Sequence, residues 1–540
     1  MASKQNQETR SLFAALSEYG ESDYYPYHMP GHKRSRQAGE MAGYFDIDIT
    51  EIDGFDDLHH AEGILREAQE RANRLYGAEE TYYLVGGSTC GILASIMTAA
   101  ARGTEILIAR NCHKSVYHAA ILQELQLHYC RPAVLENYGI YDGIGAEEIG
   151  CLLEQYPACK AVVITSPTYE GILSDIEAIA AVVHARDKIL IVDEAHGAHL
   201  GLDPQMPAGA VAAGADLVIH SLHKTLPAMT QTALVHVQGE RVDRDRLRRY
   251  LRMLQTSSPS YVMMASMDCC VRYMETQGTA GFTQMRCQHA LFCKKTETCK
   301  HIIIGKMTDV SQNDGHCGEK HTKLFTGTSD GGGMLNTTQC RMAGWDIGKL
   351  VILIRNDAWN GQKLYDVLRE EYHLQMEMAA GNYVLAVMTI MDTEEGWQRL
   401  ADALVQIDDR IEREAVRTAD EKRRLCETEP CAAGQITAAR GSRAGVPGVP
   451  EDIDGGDSSC GMPEVRMCPA QACEWPREKV PLTAAAGRIA ADFINLYPPG
   501  IPLLVPGEVI SESLLVQIQE SIRMGLRVQG VDEGAVSVLL

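Results

Sequence analysis

The sequence predicts an α/β chain: a major domain on a mostly parallel sheet, followed by smaller α+β units toward the C-terminus. Three observations carry this. Between about residues 75 and 240, short apolar β-branched runs alternate with amphipathic segments, the pattern of successive βαβ units. Several of these runs end in chemically capable side chains, at the strand ends where open α/β sheets bind ligands. At 540 residues the chain is also too long for one core, so two or more domains are expected.

The elements follow in order. "TYYLV" (81–85) reads as a strand leading to a helix from Gly91 to Ala101, and "EILIA" (105–109) as one leading to a helix from Lys114 to Leu125. "AVVIT" (161–165) precedes a helix from Ile176 to Ala185; "ILIVD" (189–193) and "DLVIH" (216–220) are two further buried strands. The major domain is placed at 71–285, after an arm of residues 1–70, and 286–345 is an atypical connector. Residues 346–413 form a small α+β unit with strands "KLVILIRN" and "VLAVMTIM" and helices at Gln362–Tyr372 and Glu395–Arg413. Residues 414–475 read as a flexible linker, rich in Gly, Pro, Ser and Cys toward its end, and 476–540 as a C-terminal domain.

Composition narrows the function classes. A formal charge of -22 and a pI near 5.3 argue against nucleic acid as a partner, because phosphate backbones are bound by basic surfaces. The polar N-terminus lacks an apolar signal core, and no run of about 18 apolar residues follows, so a cytoplasmic protein with no membrane partner is expected. The 17 cysteines are then expected as reduced thiols. Cys287, Cys293, Cys299, His301 and Cys317 lack the close C-x-x-C pairs of structural zinc sites, so no metal is expected there.

The stretch "VDEAHGAH" contains the letters DEAH, which in a helicase-type ATPase accompany a phosphate-binding G-x-x-x-x-G-K-[ST] loop. That loop is missing. The pairs Gly305-Lys306 and Gly348-Lys349 lack the upstream glycine and the following Ser or Thr, and they come after the DEAH. What remains is Asp193 at the end of a buried strand. A second strand end carries Ser221, His223 and Lys224, and a third runs through Gly86 and Gly87 into Ser88 and Thr89 at a helix start. An isolated lysine is usually a solvated surface residue, and a lone G-S-T is often a plain N-cap. Together, a phosphate cup, a carboxylate and an amine at one sheet edge suit pyridoxal phosphate, which needs a phosphate site, an acid against its ring nitrogen and a Schiff-base lysine. Asp193 keeps the ring nitrogen cationic, because an opposite charge in contact raises its pKa. His196 is placed to hydrogen-bond cofactor or substrate, and His113 to stack on the ring, although a packed histidine is an equally ordinary reading of each. A metal site from Asp193, His196 and His199 leaves Lys224 and the glycines unexplained.

With these motifs the chain resembles the pyridoxal-phosphate-dependent ornithine/lysine/arginine decarboxylases of fold type I, in their short bacterial branch. The matching stretches are "YYPYHMPGHK", "FDIDITEIDGFDDLHHAEG", "LVGGSTCGI", "SPTYEGI", "VDEAHGAH", "HSLHK", "QTSSPSYVMMASMD" and "YPPGIPLLVPGE", in family order along the chain. The resemblance implies an aspartate-aminotransferase-like fold, an N-terminal arm that contributes to the active site, and decarboxylation of a basic amino acid for polyamine metabolism. It implies that Lys224 is the Schiff-base lysine and that Asp193 pairs with the pyridine nitrogen. Ser88, Thr89, Ser221 and His223 would lie near phosphate and cofactor, His113 over the ring and His196 beside the Schiff base. Ser257 and Ser258 would serve a neighbouring subunit's phosphate, hence a homodimer, and Glu508 would face the substrate's distal cation. An aminotransferase or carbon-carbon lyase on the same scaffold, or a non-catalytic relative, stays open, because fold alone does not choose a reaction.

Overall fold

The computed structural model describes residues 10–135, 138–305, 307–309, 322–324, 342–428, 462–497, 501–523 and 527–540. The chain lays down β1 (Glu80–Leu84), β2 (Glu105–Ala109), β3 (Gln126–Cys130), the short β4 (Val134–Leu135) and β5 (Ile140–Tyr141), β6 (Cys159–Thr165), β7 (Ile172–Leu173), β8 (Ile189–Asp193), β9 (Leu217–Ser221) and β10 (Ala233–Val237). Seven of them form the main sheet in the order β1-β10-β9-β8-β6-β2-β3. From β3 to β9 every pairing is parallel, while β10 runs antiparallel to both β9 and β1. The alternating pattern therefore gives the expected sheet with one strand reversed. Successive residues Val162, Val163, Ile164, Leu190, Ile191, Val192, Val218 and Ile219 are all fully buried, so both faces of the sheet are covered. That is why these strands read as continuous apolar runs rather than alternating ones. The helices start or stop a few residues from expectation: Gly87–Ala99, Lys114–Leu122 and Ile176–His184.

One polar chain crosses this core. His220 Nε2 meets Glu194 Oε2 at 2.7 Å, His236 Nε2 meets His220 Nδ1 at 3.0 Å, and His236 Nδ1 meets Thr81 Oγ1 at 2.8 Å. The second letter of DEAH is thus a structural acid, tying β8 to β9, β10 and β1. Burial, with the nearby His220, pushes His236 well below its ordinary pKa, so the fold holds it neutral. A histidine depressed in the folded state contributes stability that is full above its unfolded pKa of about 6.5 and is lost as pH falls below that value. The Tm advantage of the wild type over His236→Gln is therefore expected to shrink between about pH 8 and about pH 5. A pH-independent difference in calorimetry would show that His236 takes up a proton without cost.

The small unit is an antiparallel sheet in which β11 (Ile302–Ile304), β15 (Lys349–Ile354), β17 (Tyr383–Val387) and β16 (Met378–Ala380) lie side by side. Between β11 and β15 come the pair β12 (Met307–Asp309) and β13 (Thr322–Leu324), and β14 (Gly344–Trp345), which pairs with β7. The expected boundaries shift accordingly. The helix Tyr261–Thr296 runs unbroken past residue 285, and Ile302–Ile304, expected in a connector, is an edge strand of the small sheet. The last helix of this unit extends over Glu394–Thr428, well beyond 413. Within the expected linker, Pro469–Glu474 is a helix; residues 429–461 lie outside the described residues. The C-terminal unit joins Arg477–Pro481 to Ala535–Leu539 and packs the helix Glu512–Arg523 on its own apolar cluster. Among the described residues the cysteines are free thiols, and no helix is long and apolar enough to cross a membrane.

Candidate active site

The carboxyl ends of the parallel strands open on one cavity of about 790 Å³. Ser88, Thr89, His113, Asp193, His196, His223 and Lys224 all line it, so most of the residues singled out in the sequence come together. Ser221 lies directly before them as the last residue of β9. Each is delivered locally. Gly87, at φ +70, turns the chain from β1 into the helix Gly87–Ala99, whose first N–H groups are left free to face an anion. His113 caps the helix Lys114–Leu122 by accepting from Ser115 N at 3.2 Å, which fixes its ring. Lys224 rides a single helical turn, Leu222–Thr225, immediately after β9.

The centre of the cavity is a row of three nitrogen groups. Lys224 Nζ is 3.0 Å from His196 Nε2, and the other ring nitrogen, Nδ1, is 3.3 Å from Lys349 Nζ. Tyr169 closes on the same imidazole edge-on, with ring centroids 4.7 Å apart. Burial lowers the pKa of Lys224, opposed by Asp193 and Glu377. Burial and the adjacent cations hold His196 well below its usual value and push His113 down to about 4, so both rings are neutral at physiological pH. Asp193 is 4% exposed and accepts from Ala195 N at 3.2 Å; burial pushes its carboxyl upward against the pull of Lys224.

These residues fit pyridoxal phosphate. Ser221 Oγ and Asn111 Oδ1 are buried with no protein partner, and unpaired buried polar atoms are costly unless a bound group meets them. The amine of Lys224, the carboxylate of Asp193 and the free helix start at Ser88 and Thr89 supply the three kinds of group the cofactor requires. His223 is held by its own Nδ1 bond to Thr232 O at 2.9 Å, which orients the turn bearing Lys224.

Three of the residues singled out in the sequence lie outside this cavity. Glu508 does not line the cavity: it is 1% exposed, its Oε2 accepts from Arg110 Nη2 at 3.0 Å and from Val505 N at 2.8 Å, and Oε1 has no partner. The cation it meets is thus one from this chain, at the end of β2. Ser257 and Ser258 are exposed on the turn before the helix Tyr261–Thr296 and lie outside the cavity of their own chain. Of the cysteine-rich group, Cys293 Sγ faces His289 Nε2 at 3.6 Å and His301 Nε2 meets Glu412 at 2.8 Å, while Cys317 is outside the described residues. His199 turns from Asp193 to Asp346, at 3.0 Å. Lys349, Glu170 and Glu377 were not anticipated. Lys349 opens the apolar strand "KLVILI", where a flanking lysine reads as solvated, and it is 2% exposed.

The chain is similar over most of its length to known proteins. Residues 10–394 match the family described as Orn/Lys/Arg decarboxylase, major domain, and residues 442–523 match its C-terminal domain. The chain is 30% identical over 536 residues to an arginine decarboxylase of Halalkalibacterium halodurans, covering 98% of this chain and 96% of that protein. It is 32% identical over 529 residues to the uncharacterized protein YaaO of Bacillus subtilis, covering 96% and 95%. The solved structure of the constitutive lysine decarboxylase of Escherichia coli has the same fold, with a TM-score of 0.76 at 21% identity over 98% of this chain and 82% of that one.

Proposed function

From the premise that this chain belongs to the Orn/Lys/Arg decarboxylase family and is a decarboxylase of basic amino acids, we propose that pyridoxal 5'-phosphate is its cofactor, held through Lys224. The observation that carries this reading is the meeting of Lys224, Asp193 and the open helix start at Ser88 and Thr89 in one cavity. When bound, the cofactor supplies a protonated pyridine ring that takes up the electron pair left as the bond from Cα to the carboxylate breaks. The chain does the rest. Lys224 Nζ would be the amine that anchors the cofactor's aldehyde. Asp193 would hold a proton on the ring nitrogen. Ser88, Thr89 and Ser221, with the helix N-terminus, would hold the phosphate, and His113 would flank the ring. His196 Nε2, beside Lys224 Nζ, is placed to return a proton to the carbon that loses CO2.

The substrate's distal cation needs a carboxylate, and Glu377 offers one at the cavity wall, where it accepts from Tyr169. Arginine is the first candidate, because relatives matching over nearly the full chain carry the name arginine decarboxylase. A homodimer is supported by the exposed Ser257 and Ser258 and by an arm that leaves Tyr24, Tyr25 and Tyr27 at 69%, 66% and 89% exposure, as though another copy covers them. The test is incubation of the cofactor-loaded protein with arginine, lysine and ornithine separately, with CO2 and amine quantified. One of the three should yield equal amounts of both products. A keto acid formed at the expense of an acceptor points instead to an aminotransferase, and the absence of any product to a non-catalytic relative.

A further inference from the structure

We propose that Lys349 is a positioning residue: its ammonium donates to His196 Nδ1 and so puts the ring's single proton on Nε2, the nitrogen facing Lys224. This rests on the decarboxylase reading of the cavity. The geometry is a row in which Lys349 Nζ lies 3.3 Å from Nδ1 and Lys224 Nζ lies 3.0 Å from Nε2. An ammonium has three donors and no acceptor, so Nδ1 must accept, and a neutral imidazole then carries its hydrogen on the far side. Lys224 Nζ, facing that hydrogen, accepts it and is held as an uncharged amine, the form that attacks a carbonyl carbon. A cation on the small sheet thus sets the protonation of an amine on the large one.

The structure builds a socket for this lysine. Gly171, at φ +95, leaves the space its stem fills: a Cβ there would lie 2.7 Å from Lys349 Cβ and 2.8 Å from Cγ. The countercharge is Asp346, fully buried and fixed by His199 Nε2 at 3.0 Å and by Gly348 N at 2.8 Å, with Oδ2 left unpaired. Against its burial, His199 and Lys349 hold the Asp346 carboxyl below its usual value. The charged groups facing Lys349 are Asp346, Lys224, Glu377 and Glu170; those facing His196 are Lys224, Lys349, His113 and His223. Burial pulls the Lys349 ammonium down to about 8, so the donor is lost as pH rises past that point.

The experiment compares cofactor-loaded wild type, Lys349→Met and Lys349→Arg. Lys349→Met is expected to lower kcat about 100-fold with KM little changed, the scale of a lost proton-transfer alignment. Lys349→Arg keeps a donor that does not titrate, so most of kcat returns and the alkaline decline near pH 8 moves upward. The readout without substrate is the pH midpoint of the bound cofactor's visible absorbance. It should rise in Lys349→Met, because removing a neighbouring cation makes the cofactor-linked nitrogen easier to protonate, and stay at the wild-type value in Lys349→Arg. An unchanged midpoint in Lys349→Met overturns the proposal, as does an alkaline limb in Lys349→Arg identical to wild type. The second comparison decides alone if the methionine variant does not fold. Wild-type protein that colours but decarboxylates no amino acid defeats the decarboxylase reading and leaves the midpoint shift to judge Lys349. Protein that takes no colour defeats both.

Discussion

Lys224→Ala is expected to abolish the borohydride-reducible visible absorbance of the cofactor-loaded protein and to lower turnover by at least about 1,000-fold. Lys224 is the cavity amine held at the end of β9, on a turn fixed by its neighbour His223. The other lysine in the cavity cannot take over, because Lys349 Nζ approaches the opposite ring nitrogen of His196 and its stem is locked against Gly171. Non-covalent retention of the cofactor is expected to remain, since the residues proposed to hold it, Ser88, Thr89, Ser221 and Asp193, are untouched. Absorbance spectra before and after borohydride, with mass spectrometry of the reduced protein, check the assignment. A reduced adduct mapped to any residue but Lys224 in the wild type would show that the amine has been misassigned.

Asp193→Ala should leave the cofactor bound and slow turnover by roughly 10- to 1,000-fold, because a contacting opposite charge shifts a pKa by about one to three units. The carboxylate is 4% exposed, and its bond from Ala195 N aims it from the end of β8 into the cavity. Asp193→Asn separates charge from shape: it preserves the contact but cannot stabilise a protonated ring nitrogen, so it should be nearly as slow as the alanine variant. Wild-type turnover in the asparagine variant, measured at saturating substrate, would mean that the ring does not depend on a charged partner. Loss of colour in both variants would make Asp193 a holding residue rather than an electronic one.

Much of this site was legible because it is assembled from strand ends. Asp193 ends its apolar run, and Ser88 and Lys224 follow theirs within a few residues, so local sequence places them at one edge of the sheet without knowledge of distant contacts. The reversal of β10 was not legible: "ALVHV" is as apolar as its parallel neighbours, and direction depends on the tight return after Lys224. Lys349 was missed for a related reason. It contacts His196 from 153 residues away, on a second sheet, and nothing near it in sequence signals a cavity. Glu508 shows the converse. Local sequence offers a carboxylate there, but which cation it faces depends on Arg110, which lies 398 residues away in the chain and closes over it in three dimensions. The helix Tyr261–Thr296 runs across the expected limit at 285, carrying its helical pattern through Gly278 and Gly281. Gly281 is there to admit a neighbour, since a Cβ would come within 3.0 Å of Ile390.

That 36-residue helix makes the two sheets a single mechanical object. Its Met264 and Met274 share one continuous apolar core with Leu12 and Leu65 at one end, and its Phe282 and Phe292 share the same core with Trp397 and Leu404 at the other. A cut anywhere along it strips apolar surface from both halves at once, so neither the large sheet nor the small one can be dissected out as an autonomous fragment. The spacing between Lys224 and Lys349 is therefore inherited from a rigid strut rather than from a hinge. After limited proteolysis, the described stretches 12–135, 138–305 and 342–411 should still elute together as one body in size-exclusion chromatography.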